Sequence, residues 1–330
     1  MGSDPTKPAA TTAAVATAAA VGVIALDWGT TSLRAYLLAD DGRVQGERAG
    51  GKGIMQIEGG AFAAALDALC GDWLTAYPDA TLIASGMIGS KQGWIEAPYC
   101  PCPANTAALA QKMVTINMDD CNDGDDDKHR ALHLVPGVSF IDPASGVPDV
   151  MRGEETQIIG AIPATGAHLV VLPGTHSKWA WVEDGAIVRF SSWMTGEVYA
   201  ALTQHTILGR LMQLGAAHDA DAFARGVRYG HHKPALLLNQ IFSARTLGLF
   251  NQIDGAALPS YLSGMLIGTE IGATFTSTER SQTDAPAQLL GSAGLVQRYQ
   301  TAFDLVGLKA AIGSADCAAR GLYRLAQAAK

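Results

Sequence analysis

Apolar residues in this chain come in short runs that end at once in glycine turns. Val21–Leu26 leads into Asp27-Trp28-Gly29-Thr30-Thr31-Ser32, and Leu169–Leu172 leads into Pro173-Gly174-Thr175-His176-Ser177. In register the two stretches share Gly-Thr-x-Ser, then Ala35 and Ala180, then an aromatic residue, Tyr36 or Trp181. Each closes with Asp-Gly, at Asp41-Gly42 and Asp184-Gly185. Apolar strand, Gly-Thr turn, second strand and Asp-Gly turn together predict a β-hairpin. A hairpin repeated half a chain apart predicts two similar domains that face each other.

The same pattern places the remaining elements. A third strand follows from Arg43. Ala61–Ala76 carries apolar positions at helical spacing, at Phe62, Ala65, Leu66, Leu69 and Leu74. Thr81–Ala84 reads as a short buried strand, followed by a long Gly/Pro/Cys-rich loop from about Gly89 to Asn105. A helix is expected over Val150–Ile162. Beyond Glu197 the pattern turns helical over Glu197–Leu214, Asp219–Arg228, Ala235–Leu249 and Ser260–Ser277. A strand at Gln288–Leu290, a helix through about Phe303 and a helix over Ala315–Ala329 complete the reading.

Composition narrows the classes. A net charge of −8 without a basic stripe argues against nucleic acid as a partner. No stretch has the roughly 18 apolar residues of a membrane span. Five cysteines at scattered spacings make no disulfide framework, and Cys100-Pro101-Cys102 lacks the second pair of a zinc site. Reduced thiols and a cytoplasmic location are expected. The Ala/Thr-rich residues 1–21 lack the basic and strongly apolar regions of a signal peptide and read as a disordered tail. Asp119–Asp127 reads as a solvated acidic loop, since it lacks the order of a calcium-binding loop.

Gly, Thr and Ser turns offer free backbone N–H groups and hydroxyls that suit phosphate. Gly29, Thr30, Thr31 and Ser32 are expected on one side of a phosphoryl group, and Gly174, Thr175 and His176 on the other. Lys178 either neutralises phosphate charge or is a solvated hairpin lysine. Asp27, at the end of a buried strand, needs a cation, and a nucleotide-bound Mg²⁺ would supply one through water. Gly291-Ser292-Ala293-Gly294, between a strand and a helix, permits close approach of a base or phosphate. In Arg152-Gly153-Glu154-Glu155-Thr156-Gln157 the carboxylates are either first-turn residues favoured by the helix dipole or a base that takes a hydroxyl proton. Glu154 is the first choice as base and Glu155 the alternative. Ser85, Gly86, Met87, Lys91 and Trp94 form a polar loop suited to a small molecule, and Arg152 or Lys91 could pair with its carboxylate.

Two Gly-Thr hairpins and a late Gly-Ser-Ala-Gly turn resemble the phosphate-1, phosphate-2 and adenosine motifs of the actin/hexokinase/Hsp70 superfamily. Within it, the chain is similar to the 2-dehydro-3-deoxygalactonokinase family, on Ala25–Ser32, Ser85–Ser90, Gln92–Trp94, Met151–Gln157, Leu172–Trp179 and Ser263–Gly268. The resemblance implies an α/β fold of two ribonuclease-H-like domains with an ATP cleft between them. Residues 1–21 would be the tail, 22–165 the first domain and 166–330 the second. It implies transfer of the ATP γ-phosphoryl group to the 6-hydroxyl of 2-dehydro-3-deoxy-D-galactonate in galactonate catabolism, with ATP and Mg²⁺ required. Partners would then be ATP and a sugar acid, with a homodimer left open. A kinase for another sugar or sugar acid, or an actin-like assembly protein, is the alternative.

Overall fold

The computed structural model of the chain describes residues 20–118, 130–276 and 285–330. The tail and the acidic stretch Asp119–Asp127 lie outside these, except for residues 20 and 21.

Two sheets repeat one topology. The first contains β1 (Val21–Trp28), β2 (Ser32–Ala39), β3 (Val44–Lys52), β4 (Thr81–Ser85), β6 (Val114–Asn117) and β7 (Ala131–Leu134), in the order β3-β2-β1-β4-β7-β6. The second contains β10 (Ala167–Leu172), β11 (Ser177–Glu183), β12 (Ala186–Trp193), β13 (Ala287–Leu289) and β14 (Ala310–Ile312), in the order β12-β11-β10-β13-β14. In both, three antiparallel strands are extended by two parallel ones on the far side of the first, and the first sheet alone adds a sixth strand, β6, antiparallel to β7. This is the ribonuclease-H-like order, and the fold is α/β with two such lobes. A small third sheet joins β5 (Tyr99–Pro101), β8 (Gly137–Ile141) and β9 (Pro148–Met151).

The α-helices among the described residues are α1 (Phe62–Ala76), α2 (Thr106–Gln111), α3 (Glu154–Ala161), α4 (Thr195–His205), α5 (Ala220–His232), α6 (Leu237–Gln240), α7 (Ser243–Leu249), α8 (Leu258–Thr276), α9 (Ala293–Leu305) and α10 (Cys317–Ala328). Strand alternation explains how they stack. On β1, Ile24 and Leu26 point into a core with Leu66 of α1, while Val23 and Ala25 point into another. That second core also holds Ile158 of α3, Leu322 and Leu325 of α10, and Val170 and Leu172 of β10. The opposite face of β10, at Leu169 and Val171, meets α5, α8 and α9 through Phe223, Ile267 and Phe303. The layers therefore run α1, first sheet, α3 with α10, second sheet, α5/α8/α9. Although α10 follows the second sheet in sequence, it packs on α3, α2 and β1 of the first lobe.

Glycine makes the α5–α8 contact close. A Cβ on Gly226 would lie 2.1 Å from the Tyr261 carbonyl oxygen, and one on Gly264 would lie 2.1 Å from that of Phe223. This explains the Gly264 and Gly268 spacing in the stretch Ser263–Gly268.

Several boundaries differ from the periodicity. The helix expected over Val150–Ile162 begins only at Glu154, because residues 148–151 pair with β8 as β9. The helix expected over Glu197–Leu214 starts at Thr195 and stops at His205. Thr206 is extended, and its hydroxyl accepts from the Leu208 N–H to start a separate turn. Ala235–Leu249 divides into a short turn, α6 and α7, with Gln240 spent on the Tyr229 carbonyl (2.8 Å) and Ser243 on the Tyr261 hydroxyl (2.8 Å). The long loop after Gly89 contains β5.

Candidate active site

The C-terminal ends of β1 and β4 meet the start of α3, and glycine permits the meeting. Gly86 has φ +94° and Gly153 has φ +106°. A Cβ on Gly86 would lie 2.7 Å from the Trp28 carbonyl oxygen, and one on Gly153 would lie 3.2 Å from the Gly86 Cα. Asp27 is paired in register with Ser85 on β4 and with Arg34 on β2. Its carboxyl is raised above the usual range by burial and by the nearby Glu154 charge, and the Arg34 guanidinium opposes both. Arg34, which the sequence reading did not single out, is thus one cation beside this carboxylate.

Glu154 and Glu155 are adjacent, and the fold gives them opposite surroundings. Glu155 is fully buried, and both its oxygens accept from the Gly153 N–H at 2.9 and 2.7 Å. Burial, then the Glu154 charge, pushes it up to about 8. Glu154 keeps 26% of its side chain exposed. One of its oxygens accepts from the Arg152 N–H at 2.9 Å, and the other lies 3.8 Å from the Lys178 ammonium. Lys178 comes from β11, so this ion pair crosses from one lobe to the other. Its side chain is 6% exposed, which removes the solvated-lysine alternative.

The turns take their places on either side. Thr30, Thr31 and Ser32 are exposed after the Gly29 N–H to Ser32 carbonyl bond at 2.9 Å. The segment at 53–55 braces them, with the Ile54 N–H on the Gly29 carbonyl (3.1 Å) and the Met55 N–H on that of Thr30 (3.2 Å). In the second turn Gly174 is half-buried, and Thr175 and His176 are exposed. Gly291, at φ +138°, approaches the Pro173 carbonyl, so Ser292 and Ala293 lie beside the second turn at the start of α9. A notch of about 70 Å³ opens here, bordered by Gly174, Gly196, Tyr199, Ser263, Leu295 and Arg298. Two larger grooves, of about 420 and 490 Å³, are lined by no residue of either turn.

The loop after β4 divides its candidates. Ser85 is buried, Gly86 and Met87 lie at the strand end, and Lys91 is exposed. Trp94 stacks on Phe62 of α1 at 5.8 Å, so its ring is part of the packing there. Arg152 donates to the Ala97 carbonyl at 2.8 Å and lies 4.5 Å over the Tyr99 ring. Its Nε and Nη1 are buried without a hydrogen-bond partner, as is the Ser90 hydroxyl. Unpartnered buried donors are costly, and an anionic group would satisfy them.

A buried carboxylate that no motif announced stands behind the second turn. Glu270 of α8 accepts from Trp179 Nε1 (2.6 Å), from the Tyr299 hydroxyl (2.7 Å) and from Thr195 Oγ1. Tyr299 also pairs with Ser177 at 2.9 Å. One side chain thus gathers β11, α4, α8 and α9. Only the fold brings these residues together.

The 2-keto-3-deoxy-galactonokinase family model matches residues 27–325, which contain every candidate site residue described above. The chain belongs to this kinase family. A 2-dehydro-3-deoxygalactonokinase of Escherichia coli (strain K12) is 31% identical over 297 residues, covering 89% of this chain and 94% of that one. A relative from Rhizobium meliloti (strain 1021), which carries the same kinase name provisionally, is 37% identical over 314 residues, 92% of this chain and 96% of its own. A Sinorhizobium meliloti crystal structure, also provisionally named as this kinase, superposes with a TM-score of 0.79 at 36% identity, covering 93% of this chain and 98% of that one. Kinases of this family use ATP and a small-molecule acceptor. Among the described residues no helix is long and apolar enough to cross a membrane.

Proposed function

We propose that the chain transfers the γ-phosphoryl group of ATP to the 6-hydroxyl of 2-dehydro-3-deoxy-D-galactonate, in the cytoplasm, as a step of galactonate catabolism. The observation that carries the reading is the meeting of Asp27, Glu154 and Lys178 between the two Gly-Thr turns. In-line transfer to an alcohol needs phosphate held from two sides, a base for the departing proton, and charge to offset that developing on the phosphoryl oxygens. Gly29, Thr30, Thr31 and Ser32 hold phosphate from the first lobe, and Gly174, Thr175 and His176 from the second. Gly291, Ser292 and Ala293 receive the nucleoside end.

Glu154 is the base in this reading. It faces the cleft and is partly exposed, whereas Glu155 has both oxygens engaged inside the protein. Lys178 lies next to the base and can turn to a phosphoryl oxygen as the hydroxyl loses its proton. Arg152, with two unspent buried N–H groups, fits a sugar-acid carboxylate next to Ser90. Ser85, Gly86, Met87 and Lys91 would border that end of the acceptor, with Trp94 supporting the loop from behind.

No group of three or more metal-ligating side chains occurs among the described residues. The donor set is then Asp27, a hard oxygen ligand beside a second carboxylate, which suits a hydrated Mg²⁺ carried by the nucleotide better than a protein cage. Bound there, the ion would offset phosphate charge. A homodimer would cover Leu238, Phe242 and Phe250, which are 87%, 53% and 75% exposed around α6 and α7.

The test is ADP release with ATP and Mg²⁺ over 2-dehydro-3-deoxygalactonate, its gluconate epimer, galactonate, gluconate, galactose and glycerol. Preference for the first acceptor is expected. Turnover with a different acceptor would move the specificity, and ATP-dependent sedimentation without transfer would replace the kinase reading with an assembly protein.

A further inference from the structure

The opening residues of α4 are seated on the phosphate-2 turn. The Glu197 N–H donates to the Thr175 carbonyl at 3.0 Å. Gly196 lies flat on the turn, where a Cβ would stand 2.4 Å from the Gly174 carbonyl oxygen. Thr195 donates to the buried Glu270 carboxylate. Three consecutive residues thus fix the helix start against the turn from behind.

On the open side, a Glu197 carboxylate oxygen pairs with His176 Nε2. The two side chains are 50% and 49% exposed. An exposed ion pair adds little to the stability of a fold. A carboxylate beside a phosphate site is also unfavourable there unless its charge is met. Both facts point to a role toward the ligand. With Nε2 committed to Glu197, Nδ1 is the ring nitrogen left to face a phosphate oxygen.

We infer that Glu197 is a positioning residue for the nucleotide phosphates, acting by holding His176 across the second Gly-Thr turn. The inference rests on the phosphate role proposed above for that turn and goes beyond it, because Glu197 lies 21 residues from its partner and in none of the motifs. Glu197 does not itself touch the phosphates. It ties the ring to a helix already locked to the turn backbone, so that His176 meets the phosphates in one orientation.

The experiment measures calorimetric affinities for ATP and AMP, alongside ADP-release kinetics, in wild type, E197A, E197Q, H176A and the E197A/H176A double variant. AMP lacks the phosphates that the second turn would meet. E197A should weaken ATP at least tenfold, leave AMP within twofold, and lower kcat at least tenfold with the sugar-acid KM within twofold. E197Q keeps a hydrogen-bond acceptor and should recover at least threefold of the ATP loss. In the H176A background the E197A change should cost less than twofold further. ATP affinity unchanged in E197A, equal losses for ATP and AMP, or losses that multiply in the double variant would each overturn the inference. If E197A loses its circular-dichroism signature, E197Q in both backgrounds decides by the direction of the same comparisons. Binding reads the inference without turnover, so wild type that binds ATP but phosphorylates no acceptor would fail the kinase reading alone.

Discussion

Gly160 of α3 and Gly321 of α10 each lie against the other helix's backbone: a Cβ on Gly160 would stand 1.8 Å from the Cys317 carbonyl oxygen, and one on Gly321 would stand 1.9 Å from that of Thr156. No rotamer change relieves a clash between Cβ and backbone. G321A must therefore separate the inner helix pair and, with it, the sheets carrying Asp27 and the second turn. Overpacking of this kind costs about 1–3 kcal/mol. A lower urea midpoint and a fall in kcat are both expected, and an unchanged midpoint would show that the helices do not cross this closely.

Glu155 makes stability depend on pH. Its folded carboxyl titrates at about 8, against roughly 4.3 for a free glutamate. Between those values the folded chain holds a proton that the unfolded chain has released. Stability therefore falls as pH rises through that window, by up to about 1.4 kcal/mol per unit from this group. Burial shifts Asp27 and Glu270 the same way. E155Q should flatten the fall in Tm between about pH 5 and 8 and raise Tm at the alkaline end. An unchanged slope would place the proton elsewhere.

Asp27 and Glu154 should separate by the step each serves. D27A should reduce transfer by more than about 100-fold with the circular-dichroism spectrum intact, and near-normal turnover would remove its metal role. E154Q should lower kcat by roughly 10²–10⁴ while ATP still binds in a calorimetric titration. If E155Q instead produced that loss, the base would be Glu155.

Arg152 should report on the acceptor alone. Its unpartnered Nε and Nη1 predict that R152A raises the sugar-acid KM at least tenfold and leaves the ATP KM within twofold. R152K should not restore it, because an ammonium cannot reproduce the planar fork. Equal changes in both KM values would reduce Arg152 to a support for the loop at Ala97.

What the sequence made legible was local. The two Gly-Thr hairpins could be read because apolar run, turn and strand follow one another directly in the chain, and α1 could be read from the helical spacing of Phe62, Ala65, Leu66 and Leu69, although the helix kinks at Cys70 (φ −142°). The short strands β5, β9 and β14, of three or four residues, carry too few positions for alternation to register, unlike β4 and β13, which end in glycine turns, and β9 shortened the helix expected from Val150. Within the site, the sequence could nominate Glu154 ahead of Glu155 as base but could not show the surroundings of either. Glu154 and Glu155 look alike on paper and differ through burial, which depends on what packs on α3. The Lys178–Glu154 pair, the Glu270 network and the Glu197–His176 contact each join segments from separate parts of the chain. No local pattern encodes them.

The place of α10 has a consequence for how the molecule is made. This helix lies under β1 and beside α3, yet it is translated after every strand of the second lobe. While the ribosome is still adding residues before 317, Val23 and Ala25 lack the part of their core that Leu322 and Leu325 supply. The first lobe to emerge is thus the last to be completed. A nascent chain must keep that apolar face from misassembly through most of synthesis, and a stop codon shortly before α10 would damage the lobe whose own strands were all present.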